Sequence, residues 1–123
     1  MPMWRKFLII VAVLLIAGAA RGAELVVFET VGCPYCIKWQ REVGKIYHLT
    51  DEGKLLPLRR VEVAKPIPAD LKHIPNVKLT PTFVVVHNGR ELGRILGYIG
   101  EEQFWGLLGE IMKMLPVDAK SSG

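Results

Sequence analysis

A chain of 123 residues has room for one domain with a modest hydrophobic core. Its sixteen basic and twelve acidic residues give a formal net charge of +4; without Arg5 and Lys6, which belong to an N-terminal leader pattern, fourteen bases leave a net charge of about +2. Charges this few and this interspersed argue against a surface built to bind nucleic acid or an acidic membrane.

The N-terminal segment has the pattern of a secretory signal peptide. After the two bases, eleven apolar residues run without interruption over Phe7–Ala17, and small residues follow. We predict a signal peptide over residues 1–20, cleaved after Ala19 or Ala20. An uncleaved membrane anchor is the alternative, but the apolar run is short for a span, which needs about 20 residues. A leader on a compact domain predicts export to the periplasm of a Gram-negative bacterium.

The segments that follow alternate between strand and helix patterns. Glu24–Glu29 is rich in β-branched and aromatic residues and predicts a strand. Pro34 suits the first position of a helix, because its missing N–H would have no partner there. Apolar residues at helical spacing continue until Gly53, which we predict to end this helix. Leu58–Val63 predicts a second strand.

The second half of the chain predicts a hairpin followed by a helix. Prolines in Ala64–Pro75 leave room for at most one helical turn. Thr82–His87 predicts a strand, Asn88-Gly89 a tight turn, and Arg90–Leu96 the returning strand. Glu101–Leu115 has an apolar face at helical spacing and predicts the last helix.

This order of elements predicts an α/β domain over residues 21–116. A βαβ unit followed by a hairpin and a closing helix gives a mixed sheet of about four strands with helices on both faces. The polar residues 117–123 are predicted to form a disordered tail.

Both cysteines of the chain lie in one C-x-x-C, at Cys33 and Cys36. A disulfide between them closes a very short loop and therefore constrains little of the unfolded chain, so a structural framework is a poor explanation. Cys33 would lie at the start of a helix, where free N–H groups and the helix dipole favour the thiolate that attacks a disulfide. Cys36, one turn later, would then attack the mixed disulfide and release the partner.

Two other uses of the pair remain as alternatives. A C-x-x-C can be half of a zinc site, which needs two further ligands. His48, His73 and His87 fall on separate predicted elements without the close spacing of a zinc-binding pair, so no metal is expected. The other alternative is an inert disulfide at the surface.

The sequence resembles two related families of redox proteins. Cys33-Pro34-Tyr35-Cys36 resembles the motif of glutaredoxins, whereas Leu79–Val86, followed by Asn88-Gly89 and Gly97, resembles the second half of thioredoxins. From about residue 25 to residue 115 the chain is therefore identified as a member of the thioredoxin-fold oxidoreductases. The resemblance implies a minimal four-stranded mixed sheet flanked by helices.

The resemblance also implies roles for individual residues. Pro81 would be the cis-proline that faces the two cysteines, and the backbone of Thr80 would hydrogen-bond an extended partner strand. From its position between the cysteines, rather than from the resemblance, Tyr35 is expected to be exposed, where it either modulates Cys33 or contacts a partner. No cofactor is expected for dithiol exchange.

Some positions depart from the families' patterns. Thioredoxins carry a buried aspartate six residues before the first cysteine, as a proton acceptor for the second, and here Val27 stands at that position. Glu29 is the nearest carboxylate; either it takes over as proton acceptor or it is solvated at the strand end. Gly97–Glu102 matches only weakly the Gly-Gly and acidic pair with which glutaredoxins help to hold glutathione, which argues against a glutathione-specific role.

Within the family, the V-G-C-P-Y-C-I-K-W-Q and K-L-T-P-T-F stretches resemble most the periplasmic thioredoxins of sulfur-oxidation (Sox) gene clusters. This resemblance implies a reductant of protein disulfides that reactivates a cysteine-bearing sulfur-carrier protein, with electrons arriving from a membrane thiol transporter. Two alternatives stay open. The first is a disulfide-forming oxidant or isomerase, because the reduction potential of a C-x-x-C varies widely with its context. The second is a redox-regulated binding module that does not depend on turnover.

Overall fold

The computed structural model describes residues 22–75 and 77–121. The predicted signal peptide, residues 1–20, lies outside these ranges. Within them, no helix combines the length and the apolar character that crossing a membrane requires.

The four strands form a single mixed sheet. They are β1 (Ala23–Glu29), β2 (Leu58–Glu62), β3 (Thr82–His87) and β4 (Arg90–Leu96), in the order β2-β1-β3-β4. The β1–β2 pair is parallel, whereas β3 runs antiparallel to both β1 and β4. The two central strands are the most apolar ones, as expected for strands buried on both faces. The predicted four-stranded sheet is confirmed.

The predicted hairpin between β3 and β4 is also confirmed. Its turn is made by Asn88 and Gly89, which have φ angles of 50° and 80°. Two consecutive positive φ angles match the right-handed twist of the flanking strands, and they explain why an Asn-Gly pair stands there.

The active-site helix is shorter than the sequence predicts. Helix α1 covers Pro34–Trp39 and continues as a π-helical turn over Gln40–Gly44. After a 3-10 turn, a separate helix α2 covers Asp51–Leu55, with the Thr50 side chain accepting a hydrogen bond from the N–H of Gly53. The prediction that Gly53 ends the first helix is therefore wrong, because Gly53 lies inside α2, buried against the backbone of the preceding turn.

The C-terminal region also differs from the prediction. Helix α3 covers Glu101–Met112, and a short helix α4 follows over Val117–Ser121. The predicted disordered tail is thus wrong for residues 117–121, whereas residues 122–123 lie outside the described ranges. The N–H of Lys120 donates to the carbonyl of Pro116, and Ala119 packs against the core, which gives this segment both a helical hydrogen bond and an apolar contact.

The helices flank the sheet unevenly. Helices α1 and α3 pack against the same face, in a core that includes Trp39, Tyr47, Phe83 and Phe104. The ring centroid of Trp39 lies 5.0 Å from that of Phe83 and 5.7 Å from that of Phe104, so Trp39 packs inside this core. The sequence predicted helices on both faces, and on the second face the structure has a segment with one 3-10 turn instead.

That segment, which we call the loop cover, is made of residues 63–75 with a 3-10 turn at Ala69–Leu71. It closes over a smaller apolar cluster on the second face of the sheet. Arg59 of β2 holds the 3-10 turn of the loop cover by donating two hydrogen bonds, of 2.6 and 2.9 Å, to the carboxylate of Asp70. Further along, Arg94 of β4 donates to the carbonyl of Pro75, at 2.8 Å. The prolines of the loop cover explain why no longer helix forms there.

Candidate active site

The two cysteines lie where the end of β1 turns into α1. Gly32, with a φ of 83°, makes the turn, and Cys33 takes the N-cap position of the helix with Pro34 directly after it. The backbone N–H of Cys36 donates to the sulfur of Cys33 at 3.1 Å. A sulfur that receives such a hydrogen bond is stabilised as a thiolate once the pair is reduced.

Cys33 and Cys36 form a disulfide, with their Cα atoms 5.2 Å apart. Both residues are largely buried, with exposed fractions of 7% and 6%. No acidic residue lies in the first turn of α1 to oppose a thiolate there. The structure therefore brings together the two cysteines that the sequence singled out and places Cys33 at the helix start.

Pro81 and Thr80 meet the disulfide from β3. The Thr80–Pro81 peptide bond is cis, as the family resemblance implied. The Thr80 carbonyl oxygen lies 3.4 Å from Cys33 Sγ, and the Pro81 carbonyl accepts a hydrogen bond from the N–H of Gly97 at 2.8 Å. The loop before β3 is thus held against the cysteines on one side and against the end of β4 on the other. The partner-binding role of Thr80 stays a prediction.

Apolar side chains near the disulfide in sequence are exposed to solvent. Tyr35, between the cysteines, is 58% exposed, which agrees with the expectation of an accessible side chain. Val31 precedes the motif and Leu79 precedes Thr80, and both are also exposed. These residues offer a surface that a partner could cover, and their contacts with a partner stay a prediction.

An open cavity of about 470 Å³ lies beside Cys36. It is bounded by the ends of β1 and β2 and by α1, and its charged lining residues are Glu29, Arg60, Glu62 and Lys65. Cys36 therefore shares this cavity with four charged side chains.

Glu29 lies at this cavity but is engaged by Arg60. Arg60 donates to Glu29 Oε1 through Nε at 2.7 Å, and its Nη2 lies 2.6 Å from the same oxygen. The carboxylate therefore neither projects freely into solvent nor stands alone beside Cys36. Its role as a proton acceptor stays a prediction.

Sequence reasoning missed Glu62, which ends β2 next to the turn before Cys33. Its Oε1 accepts hydrogen bonds from the Thr30 hydroxyl at 3.0 Å and from the Val31 N–H at 3.1 Å. The signal that could have found it is the parallel pairing of β1 and β2, which sets Glu62 opposite Glu29. Residues that end neighbouring parallel strands meet at the same edge of a sheet.

Helix α1 is also tied to the segment between β4 and α3. The buried Tyr98 hydroxyl donates to Glu42 Oε1 at 2.7 Å, and the Lys38 ammonium lies 5.9 Å from the centre of the Tyr98 ring. Burial and the neighbouring Glu42 carboxylate raise the pKa of Tyr98 well above its usual value. Tyr98 therefore stays a neutral hydrogen-bond donor that fixes the side of α1 away from the cavity.

Comparison with known proteins agrees with this geometry. Residues 14–111 match the family described as a thioredoxin-like domain. Among curated proteins, none matches the chain significantly. Among solved structures, the reduced form of the periplasmic thioredoxin SoxS from Paracoccus pantotrophus is 40% identical, with a TM-score of 0.70, over 74% of this chain and 96% of that one.

More distant structures share the fold. A thioredoxin from Thermus thermophilus is 26% identical with a TM-score of 0.60, over 80% of this chain and 79% of that one. A DsbH oxidoreductase, at 17% identity and a TM-score of 0.55 over 83% and 80% of the two chains, shows similarity of fold alone. From its family match, its fold and the cysteine pair at the start of α1, the chain belongs to the thioredoxin-like family and is a thiol–disulfide oxidoreductase.

Proposed function

We propose that the protein is an exported, periplasmic reductant that transfers electrons from its dithiol to disulfides of other exported proteins. The observation that carries this proposal is the position of Cys33, with its sulfur at the start of α1 and 3.4 Å from the Thr80 carbonyl. A partner strand lying along Thr80 would therefore pass directly beside this sulfur. Similarity to a periplasmic thioredoxin and the leader pattern of residues 1–20 support the location.

The reaction proceeds in two exchanges of sulfur. The Cys33 thiolate attacks one sulfur of the partner disulfide, so the partner S–S bond breaks, a mixed disulfide forms and the released partner sulfur takes up a proton. Cys36 then loses its proton and attacks Cys33, which forms the Cys33–Cys36 disulfide and releases the second partner sulfur as a thiol. In total, two electrons and two protons pass to the partner, and a two-electron thiol donor restores the dithiol.

The partner we propose is a sulfur-carrier protein whose functional cysteine has been blocked in a disulfide. The support is the similarity to SoxS over 96% of that chain's length, together with the local sequence around the cysteines. A membrane thiol transporter would supply the electrons. Glu29, at the cavity beside Cys36, is the residue we propose to accept the Cys36 proton, with Arg60 releasing it from their ion pair.

The reduction potential of the Cys33–Cys36 pair tests the direction of electron flow. We expect a value of about −250 mV or below, in the range of thioredoxins, when the purified protein is equilibrated against thiol redox buffers. A value of about −150 mV or above lies in the range of disulfide-forming enzymes and would contradict the proposed reductant.

Trapping of the partner tests the exchange mechanism. Cys36→Ala keeps the nucleophile but removes the residue that resolves the mixed disulfide, so partners are expected to accumulate on Cys33. Mass spectrometry of disulfide-linked complexes from the periplasm would identify them, with the Cys33→Ser/Cys36→Ala double variant as control. Complexes that form equally with the double variant, or none with Cys36→Ala, would contradict dithiol exchange with proteins.

A further inference from the structure

Glu62 connects the end of β2 to the turn that precedes Cys33. One carboxylate oxygen receives hydrogen bonds from the Thr30 hydroxyl and from the Val31 N–H. The carbonyl of Thr30 in turn accepts from the N–H of Cys33, at 3.3 Å. The carboxylate therefore holds both residues between the end of β1 and Gly32, and through them it fixes where Cys33 begins α1.

The second oxygen of Glu62 is enclosed by the protein. Oε2 is almost completely buried and has no hydrogen-bond partner among the described residues. The hydrogen bonds from the Val31 N–H and the Thr30 hydroxyl to the other oxygen, together with the nearby N–H groups of Ala64 and Val63, outweigh the effect of burial and lower the pKa of Glu62. The carboxylate thus keeps its negative charge throughout the neutral range.

This charge lies at the same cavity as Cys36. Four charged side chains line the cavity. Arg60 is paired with Glu29, and Lys65 is exposed to solvent. Within residues 22–75 and 77–121, no lysine or arginine forms an ion pair with Glu62. Glu62 therefore contributes a negative charge, without an ion-pair partner among the described residues, to the cavity that Cys36 also lines.

A negative charge in this position acts differently on the two redox states. The disulfide carries no charge, whereas the reduced pair is in part a thiolate, which a nearby carboxylate makes less stable. Stabilisation of the reduced form makes a C-x-x-C protein more oxidising. A residue that destabilises the thiolate accordingly makes the protein a stronger reductant.

We propose that Glu62 is a positioning residue of the dithiol, whose carboxylate holds the Thr30–Gly32 turn and whose charge shifts the redox equilibrium toward the disulfide. The proposal rests on the dithiol exchange described above. According to this proposal, a residue at the end of β2 helps to set the reduction potential. The spacing within the C-x-x-C motif alone does not determine that potential.

The substitution Glu62→Gln tests the proposal, because it removes the charge while keeping the size of the side chain and one acceptor oxygen. We expect the equilibrium constant for reduction by glutathione to increase about threefold to tenfold, which corresponds to a rise in potential of up to about 30 mV. Alkylation of the reduced protein by iodoacetamide should reach its half-maximal rate at a lower pH. Glu110→Gln is the matched control, since it removes the same charge from an exposed carboxylate on α3.

An unchanged equilibrium constant and an unchanged alkylation profile in Glu62→Gln would overturn the proposal. A variant in which only the melting temperature falls would also overturn the proposal, because loss of a purely structural residue lowers stability without changing the redox equilibrium. If Glu62→Gln does not fold, Thr30→Val tests whether the Glu62 carboxylate positions the turn before Cys33, because it removes the hydroxyl that donates to this carboxylate. A fall of about threefold or more in the rate of Cys33 alkylation supports the proposal, and an unchanged rate overturns it.

Failure of this proposal is distinguishable from failure of the proposed function. The comparison of Glu62→Gln with the wild type depends only on the protein's own cysteines and on glutathione. A wild-type potential of about −150 mV or above would contradict the reductant and still leave the effect of Glu62 measurable.

Discussion

Cys33→Ser is expected to abolish disulfide reduction. A serine hydroxyl is not ionised at neutral pH and cannot form a mixed disulfide, so the rate should fall to background, a loss of at least about a thousandfold. The fold should persist, since the disulfide closes a loop with a sequence separation of 3 and such a short loop contributes little chain entropy. Reduction of insulin by the protein, supplied with a thiol donor, measures the rate, and circular dichroism confirms folding.

Cys36→Ser is the matched control for this experiment. It removes the same number of sulfur atoms but leaves the nucleophile, so Cys33 should react once and stop at the mixed disulfide. The two serine variants thus separate attack from resolution. If Cys33→Ser keeps a tenth or more of the wild-type turnover, Cys33 is not the nucleophile. If it loses turnover but still binds the partner as tightly as the wild type does, the binding-module interpretation gains support.

Gly53→Ala is expected to destabilise the protein strongly. A Cβ atom at Gly53 would lie 1.8 Å from the carbonyl oxygen of Tyr47 and 2.7 Å from its carbonyl carbon. These are backbone atoms, and Tyr47 is held by a 2.7 Å hydrogen bond from its hydroxyl to the Leu56 carbonyl and by stacking on Trp105. We expect a loss of about 3 kcal/mol or more, at the upper end of what overpacking costs.

Gly109→Ala provides the contrast. Gly109 lies in α3 with nothing within 4 Å of an added Cβ, so alanine should stabilise the helix by about 0.5–1 kcal/mol. Urea unfolding of the two variants measures both free energies, and thermal unfolding should show a fall in melting temperature of about 12 °C or more for Gly53→Ala. A free energy of unfolding within 1 kcal/mol of the wild type would mean that the α2 turn adjusts to the extra methyl group.

Local patterns were sufficient for much of the fold. The Asn88-Gly89 turn and its two strands follow from turn chemistry and alternation along the chain, and the structure contains them at the predicted residues. The cysteine pair at the start of α1 follows in the same way from Pro34 and the preceding strand. These features depend on residues that are neighbours in sequence.

Features that depend on packing could not be predicted in this way. The apolar spacing continues past Gly44, so it hides the point where α1 ends in a π-helical turn. Gly53 has the pattern of a helix end, whereas its actual constraint is the Tyr47 carbonyl. Glu62 lies 31 residues from Val31 in the chain, and only the parallel register of β1 and β2 brings the two together.

The loop cover has a consequence for how salt affects the two halves of the molecule. The ion pairs of Arg59 with Asp70 and Glu24 help to fix the loop cover to β2 and β1. In contrast, α1 and α3 lie over a core of apolar and aromatic side chains. Partly exposed ion pairs weaken as ionic strength rises, and apolar contacts do not. Salt should therefore weaken the contacts that hold the loop cover before it weakens the apolar core under α1 and α3.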